Sequence, residues 1–163
     1  RGASTISMQL AKNLYLTREK TLSRKVQEAL LTMLIEQELR KDEILELYFN
    51  VVELGPGIFG DKEAAEYYFR SEPADLSVAQ CFFLASVLPS PTSEYFDEAG
   101  YLKPRWTRYV QRLMKIAAER ERISEIDLES GLEEEIRFGV PHQGDDASDA
   151  EQPPLDFETA PPL

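Results

Sequence analysis

The stretch RKVQEALLTMLIEQEL, residues 24–39, has a regular apolar spacing that is typical of a helix. It predicts one long helix from about Thr21 to Leu39. The apolar side chains recur at positions i, i+3, i+4, i+7 and i+8 on one face: Val26, Ala29, Leu30, Met33 and Leu34. Polar side chains step by four along a different face: Arg24, Glu28, Thr32 and Glu36. The pattern is therefore that of an amphipathic helix.

The remaining sequence also indicates helices, and we predict an all-α fold. Ser4 is a plausible N-cap for the first helix, and Ser77 with Gln80 forms a capping-box pattern before a buried apolar helix that Pro89 ends. The segment ELGPGIFGD, residues 53–61, is interpreted as a turn between helices, because no pair of alternating strands is visible. Besides the long helix, helices are expected at residues 5–15, from about 42, after 61, after 77, over 104–121 and over 124–136.

Charge is distributed unevenly along the chain. The 163 residues carry a net charge of −12, which argues against a nucleic-acid partner because such proteins are usually basic. Residues 1–27 nevertheless hold six cations and one Glu, whereas residues 132–163 hold nine acids and one Arg. A basic patch on an acidic chain suggests a local anionic ligand. Residues 140–163 contain few apolar side chains, and we predict a disordered acidic tail there.

The basic segment also carries a concentration of polar groups. Hydroxyls, amides and cations surround the acid Glu28: Ser4, Thr5, Ser7, Gln9, Lys12, Asn13, Lys20, Arg24 and Lys25. Helical spacing places Arg24 and Lys25 within one turn of Glu28. Cations with hydroxyl and amide donors are the groups that hold a phosphate or diphosphate. A structural interpretation stays open, in which the Glu28 pair is a common surface ion pair, worth about 0.3–0.5 kcal/mol, and the hydroxyls only cap a helix.

Four ordered motifs resemble the peptidoglycan glycosyltransferases, glycosyltransferase family 51, which occur in penicillin-binding proteins and monofunctional transglycosylases. GASTISMQLAKNLYL (2–16) is similar to the second family motif, RKVQEALLTMLIEQEL (24–39) to the third and KDEILELYFNVVELGPGIFG (41–60) to the fourth. LSVAQCFFLASVLPSPTSEY (76–95) continues in register, and the likeness covers residues 1–137. The resemblance implies a lysozyme-like helical domain, with residues 1–139 as its C-terminal part and 140–163 as the tail.

The resemblance also implies roles for individual residues. Glu28 matches the glutamate on the donor side of the reaction, which helps to position or neutralise the diphosphate leaving group. Eight residues would bind substrate: Ser4, Thr5, Gln9, Lys12, Asn13, Lys20, Arg24 and Lys25. Met8 stands where many members have Gln, so this sequence has one polar group fewer in the second motif. The resemblance leaves open a divalent metal, Mg or Mn.

The first family motif, Glu-Asp-x-x-Phe-x-x-His-x-Gly, does not occur in this sequence. In the family it carries the glutamate that acts as general base on the acceptor sugar. We therefore expect the parent protein to polymerise lipid II with release of undecaprenyl diphosphate, and the 163-residue chain alone to be inactive. Implied partners are lipid II, the growing glycan strand, cell-wall synthesis proteins and the bacterial inner membrane, on its periplasmic or extracytoplasmic face.

Two other functions remain open from the sequence. One is a non-catalytic module that binds lipid II or a cell-wall partner, which predicts affinity for lipid II that falls on Lys12→Ala. The other is a muramidase-like lytic enzyme, which would need an acid other than Glu28. A shared fold does not decide among these functions, because function depends on the site.

Overall fold

The computed structural model describes residues 4–15 and 21–142. Within those ranges lie seven α-helices, a short 3₁₀ turn at Pro73–Asp75 and one hairpin. The helices are α1 (Ile6–Tyr15), α2 (Leu22–Glu38), α3 (Lys41–Val51), α4 (Asp61–Phe69), α5 (Val78–Val87), α6 (Pro104–Glu119) and α7 (Glu125–Glu133). The predicted helical fold is confirmed. Most of the predicted tail, residues 143–163, lies outside the described residues.

The caps of the helices follow from short-range hydrogen bonds. Thr5 Oγ1 accepts a hydrogen bond from Met8 N at 3.2 Å, so Thr5, and not the predicted Ser4, caps α1. The capping box at Ser77 and Gln80 is confirmed, with Gln80 N donating to Ser77 Oγ at 3.0 Å and Ser77 N donating to Gln80 Oε1 at 3.1 Å. These bonds satisfy amide donors that the first turn of a helix leaves unpaired.

The segment predicted as a plain turn contains a short antiparallel hairpin. Strand β1 (Glu53–Gly55) pairs with β2 (Ile58–Phe59). Gly57 has a φ of +73° in the connection, a conformation that glycine adopts without steric cost. The strands are too short to show the alternation that sequence reasoning looks for, and the expectation of no strands was therefore wrong here.

An aromatic core joins the helices of the second half. Phe69 and Phe83 are 0% exposed, and the Phe83 ring lies edge-on to Tyr68 and Tyr95, with ring centroids 5.1 and 5.5 Å apart. Edge-to-face pairs add roughly 0.5–1.5 kcal/mol each beyond the area that they bury. The helix α5 contributes Phe83 together with Val87, which is also 0% exposed, so α5 is the centre of this half.

The first half packs in a different way. Helix α1 lies against α2 and α3 through Leu10 and Ala11, both 0% exposed. In α2 the buried residues are Glu28 and Thr32. Leu31 and Ile35 are half-buried, whereas four apolar side chains of the predicted stripe are more than half exposed: Val26, Leu30, Met33 and Leu34. The apolar stripe of an amphipathic helix normally faces the core. In α2 this stripe faces outward, and the polar face with Glu28 and Thr32 is the buried one. None of the described helices has the length and apolar character needed to cross a membrane.

Candidate functional site

The buried face of α2 holds a carboxylate between two cations. Arg24 Nη1 lies 3.2 Å from Glu28 Oε2, and Lys25 Nζ contacts the other oxygen, Oε1. The Glu28 side chain is only 3% exposed, against 18% for Arg24 and 49% for Lys25. The alternative of a surface ion pair is therefore wrong, because a carboxylate this well covered has lost its own hydration and depends on these partners.

The start of α2 sets this geometry. Thr21 caps the helix, and its side chain accepts a hydrogen bond from Arg24 N at 3.2 Å. Arg24 and Lys25 therefore leave a fixed first turn, and Glu28 follows one turn later, where i−4 and i−3 neighbours meet. The three charged groups therefore share one face of the first two turns of α2.

The cluster has donor capacity beyond Glu28. Arg24 Nε is buried and has no hydrogen-bond partner among the residues that the structure describes. The Lys25 side chain is half exposed, so its ammonium group meets solvent on one side. Guanidinium and ammonium groups presented together can bind an anionic oxygen group such as a phosphate.

The predicted polar residues of α1 separate into two groups. One group lies along a single side of α1: Lys12 and Asn13 follow Gln9 by three and four residues, about one helical turn. Gln9 is half-buried, and Lys12 and Asn13 are exposed. Ser4 and Thr5 are exposed at the start of α1. Helix α1 packs on α2, so this polar stripe lies on the element next to the charged cluster.

Gln9 also has a partner that the sequence did not indicate. The Tyr48 hydroxyl of α3 donates a hydrogen bond to Gln9 Oε1 at 3.1 Å, across 39 residues of sequence. Tyr48 is 2% exposed, and burial raises the pKa of its phenol above the usual value. The sequence predicted a helix from about residue 42, and it indicated no polar partner for Tyr48 on that helix. A tyrosine at a core position was the available signal, because a buried phenol usually finds a polar partner.

The structure thus brings Arg24, Lys25 and Glu28 into contact. It also joins Gln9 to α3 through a hydrogen bond with Tyr48. Lys20 lies outside the described residues. Among residues 4–15 and 21–142, no three His, Cys, Asp or Glu side chains form a group that could hold a metal ion. The described site is therefore built from cations, amides and one buried carboxylate.

Comparisons with known proteins concern the same part of the chain. The family model described as Transglycosylase matches residues 1–114. A biosynthetic peptidoglycan transglycosylase of Nitrosomonas europaea is 52% identical over 90 residues, which are 55% of this chain and 37% of that protein. A protein of the same name from Chromobacterium violaceum is 47% identical over 115 residues, which are 69% of this chain and 50% of that protein. The chain thus spans half or less of the length of these relatives.

A solved structure shares the fold. The crystal structure of penicillin-binding protein 1A from Haemophilus influenzae superposes with a TM-score of 0.52 and 21% sequence identity. The match covers 83% of this chain and 16% of that protein. At this identity the likeness concerns the fold, and it agrees with the helical glycosyltransferase domain expected from the motifs.

Proposed function

Because the chain belongs to the transglycosylase family, we propose that it provides the donor side of a peptidoglycan glycosyltransferase site. The reaction would join lipid II units into glycan strands and release undecaprenyl diphosphate. The observation that carries the proposal is Glu28, whose side chain is 3% exposed and contacts Arg24 and Lys25. A buried carboxylate that holds two cations in place is suited to present positive charge to a departing diphosphate.

The chemistry explains why such a cluster is useful. The acceptor sugar hydroxyl forms a new bond to the anomeric carbon of the donor, and the bond from that carbon to the diphosphate oxygen breaks. The hydroxyl proton goes to a general base, and the electron pair of the broken bond stays on the diphosphate. Fixed cations stabilise that developing negative charge without having to reorganise. Arg24 and Lys25 are assigned this role here, and Glu28 holds their positions.

A divalent metal is not needed for this assignment. Mg²⁺ and Mn²⁺ are bound by several oxygen ligands, and the described residues offer only Glu28 in the cluster, with each of its oxygens already bound to a cation. At phosphate-binding sites Mg²⁺ is usually held by one or two carboxylates together with the substrate phosphates, so the described residues do not form a complete metal site on their own. Neutralisation of the diphosphate is therefore assigned to the side-chain cations.

The proposed setting is the extracytoplasmic face of the bacterial inner membrane. Peptidoglycan is built there from a lipid-linked donor, so the donor diphosphate would lie close to the membrane surface. The growing glycan strand would be the second substrate, and other cell-wall synthesis proteins are the proposed protein partners. Ser4, Thr5, Lys12 and Asn13 would add polar contacts to the donor beside the cluster.

Binding of lipid II by the purified chain tests the proposal. Lys25→Ala should weaken binding by at least about tenfold, since hydrogen bonds to charged groups contribute roughly 1.5–3 kcal/mol and 1.4 kcal/mol is a factor of ten. The matched control is Lys115→Ala, a lysine of α6 with an exposed side chain, which should bind as the wild type does. Lack of wild-type binding, or equal binding by both variants, would overturn the proposal.

A second measurement concerns catalysis. The 163-residue chain should bind lipid II without polymerising it, because the motif that carries the acceptor-side base in the family does not occur in this sequence. The readout is glycan product on a gel after incubation with lipid II. Product formed by the purified chain would contradict this expectation and would place the base among the residues present.

A further inference from the structure

The hydrogen bond between Gln9 and Tyr48 is the longest-range polar contact of the candidate site. It joins α1 to α3 at 3.1 Å, and Tyr48 is 2% exposed. The tyrosine ring is therefore fixed by packing, and its hydroxyl meets the half-buried Gln9 side chain from the protein interior. The hydrogen bond from Tyr48 therefore restricts the orientation of the Gln9 side-chain amide.

An amide side chain has two different ends. The Gln9 oxygen accepts hydrogen bonds and the nitrogen donates two. A phenol hydroxyl can donate to an amide oxygen or accept from an amide nitrogen. In this structure Tyr48 donates to Oε1, so the oxygen is turned toward α3. In the described part of the chain, Nε2 has no hydrogen-bond partner, and amide geometry directs it away from Tyr48.

The direction of Nε2 matters because of its neighbours. Lys12 and Asn13 follow Gln9 by one turn on the same side of α1, and both are exposed. A donor nitrogen beside an exposed ammonium group favours an anionic ligand, whereas the amide oxygen in the same place would repel it. The orientation of the Gln9 amide therefore decides whether the side chain attracts or repels an anionic ligand at this position.

We propose that Tyr48 is a positioning residue for Gln9, which fixes the side-chain amide so that Nε2 donates to the lipid-linked diphosphate. The inference rests on the proposed function, because it takes the donor diphosphate as the ligand. Tyr48 itself touches no substrate. Its effect passes through Gln9 alone, and this restriction makes the inference testable.

The experiment measures the lipid II affinity of variants of the full 163-residue chain. Tyr48→Phe removes only the hydroxyl and should weaken binding about fivefold, the value of one ordinary hydrogen bond. Gln9→Ala should weaken it at least as much. In the Gln9→Ala background, Tyr48→Phe should have no further effect, because the group that it positions is gone.

Gln9→Glu gives a second, independent readout. The carboxylate keeps an oxygen that can accept from Tyr48 and places another oxygen where Nε2 was. We expect a greater loss of affinity than for Gln9→Ala, because a negative charge then faces the diphosphate. A loss of side-chain packing alone would give the opposite order.

Tyr68→Phe is the matched control. Tyr68 is 3% exposed and its hydroxyl donates to the Leu54 carbonyl at 2.9 Å, so the variant also removes a buried phenol hydroxyl. It should lose similar stability in urea and keep wild-type affinity. A Tyr68→Phe variant that binds as weakly as Tyr48→Phe would show that general destabilisation is the cause, and would overturn the inference.

The other outcomes separate the two proposals. If Lys25→Ala weakens binding while Tyr48→Phe does not, the proposed function stands and the positioning role is wrong. If Tyr48→Phe weakens binding equally in the wild-type and the Gln9→Ala backgrounds, Tyr48 acts on structure alone and the positioning role is again wrong. If the wild-type chain does not bind lipid II, both proposals are wrong.

Discussion

Glu28 of α2 and Phe83 of α5 are both almost completely buried, at 2% and 0% exposure, yet their surroundings are opposite. Phe83 lies among aromatic rings, including Tyr68, Tyr95 and Phe96. Glu28 lies between Arg24 and Lys25. The region α4–α7 therefore buries apolar surface, whereas the most covered side chain of α2 is charged.

This difference indicates what each region contributes. Burial of apolar surface is the main stabilising term in folding. The region α4–α7 buries several aromatic and aliphatic side chains, including Phe69, Phe83 and Val87. A buried ion pair adds little net stability, since desolvation offsets the attraction. The region α1–α3 also buries apolar side chains, among them Leu10 and Ile44, but in addition it places Glu28 between two cations and Gln9 against Tyr48. The predictions below test this difference between the two regions.

The largest expected effect is at the aromatic core. Phe83→Ala should lower the free energy of unfolding by about 3–5 kcal/mol, because it leaves a cavity among packed rings. Urea denaturation followed by circular dichroism measures the change. The control is Phe49→Ala in α3, where the ring is 41% exposed. Equal losses for the two variants would show that the aromatic cluster is not the centre of stability.

The core of α4–α7 was accessible from the sequence because its signals are local. The Ser77 and Gln80 capping box and the apolar run after it specify α5 within a few residues. Each of these features depends on sequence neighbours, and the structure confirms them. The β1–β2 hairpin is also local, but its strands of three and two residues are too short to show a period.

The site was only partly predictable, for a physical reason. The contacts of Glu28 with Arg24 and Lys25 follow from helical spacing, and they were expected. The burial of Glu28 was not, because periodicity assigns α2 an apolar face and cannot tell which face the neighbouring helices cover. The bond from Tyr48 to Gln9 joins residues 39 positions apart, and no pattern on either helix specifies it.

The next prediction tests the buried carboxylate. Glu28→Gln should lower the free energy of unfolding by about 1–3 kcal/mol, because it leaves the largely covered Arg24 guanidinium without its counter-charge. Glu36→Gln is the control, since Glu36 is exposed on the same helix. Urea denaturation at pH 7 provides both values. If the two variants behave alike, Glu28 is solvated in solution and the contrast with Phe83 fails.

A smaller effect is expected from the helix caps, one in each region. Thr21→Ala and Ser124→Ala each remove a side-chain acceptor from the first turn, of α2 and α7 respectively, and each should cost about 1 kcal/mol. Only Thr21→Ala should also weaken lipid II binding, because it loosens the turn that carries Arg24 and Lys25. Loss of binding by Ser124→Ala would show that the regions are coupled.

The smallest expected effect is on the exposed apolar side of α2. Leu30 is 57% exposed, and Leu30→Gln should change the free energy of unfolding by no more than about 0.5 kcal/mol, because Gln and Leu have similar helix propensities. The same substitution in α5, Leu84→Gln, places an amide at a position that is 7% exposed and should cost several times more. Urea denaturation compares the pair. A large loss at Leu30 would mean that this side of α2 is covered in solution, and α2 would then bury apolar surface as α5 does.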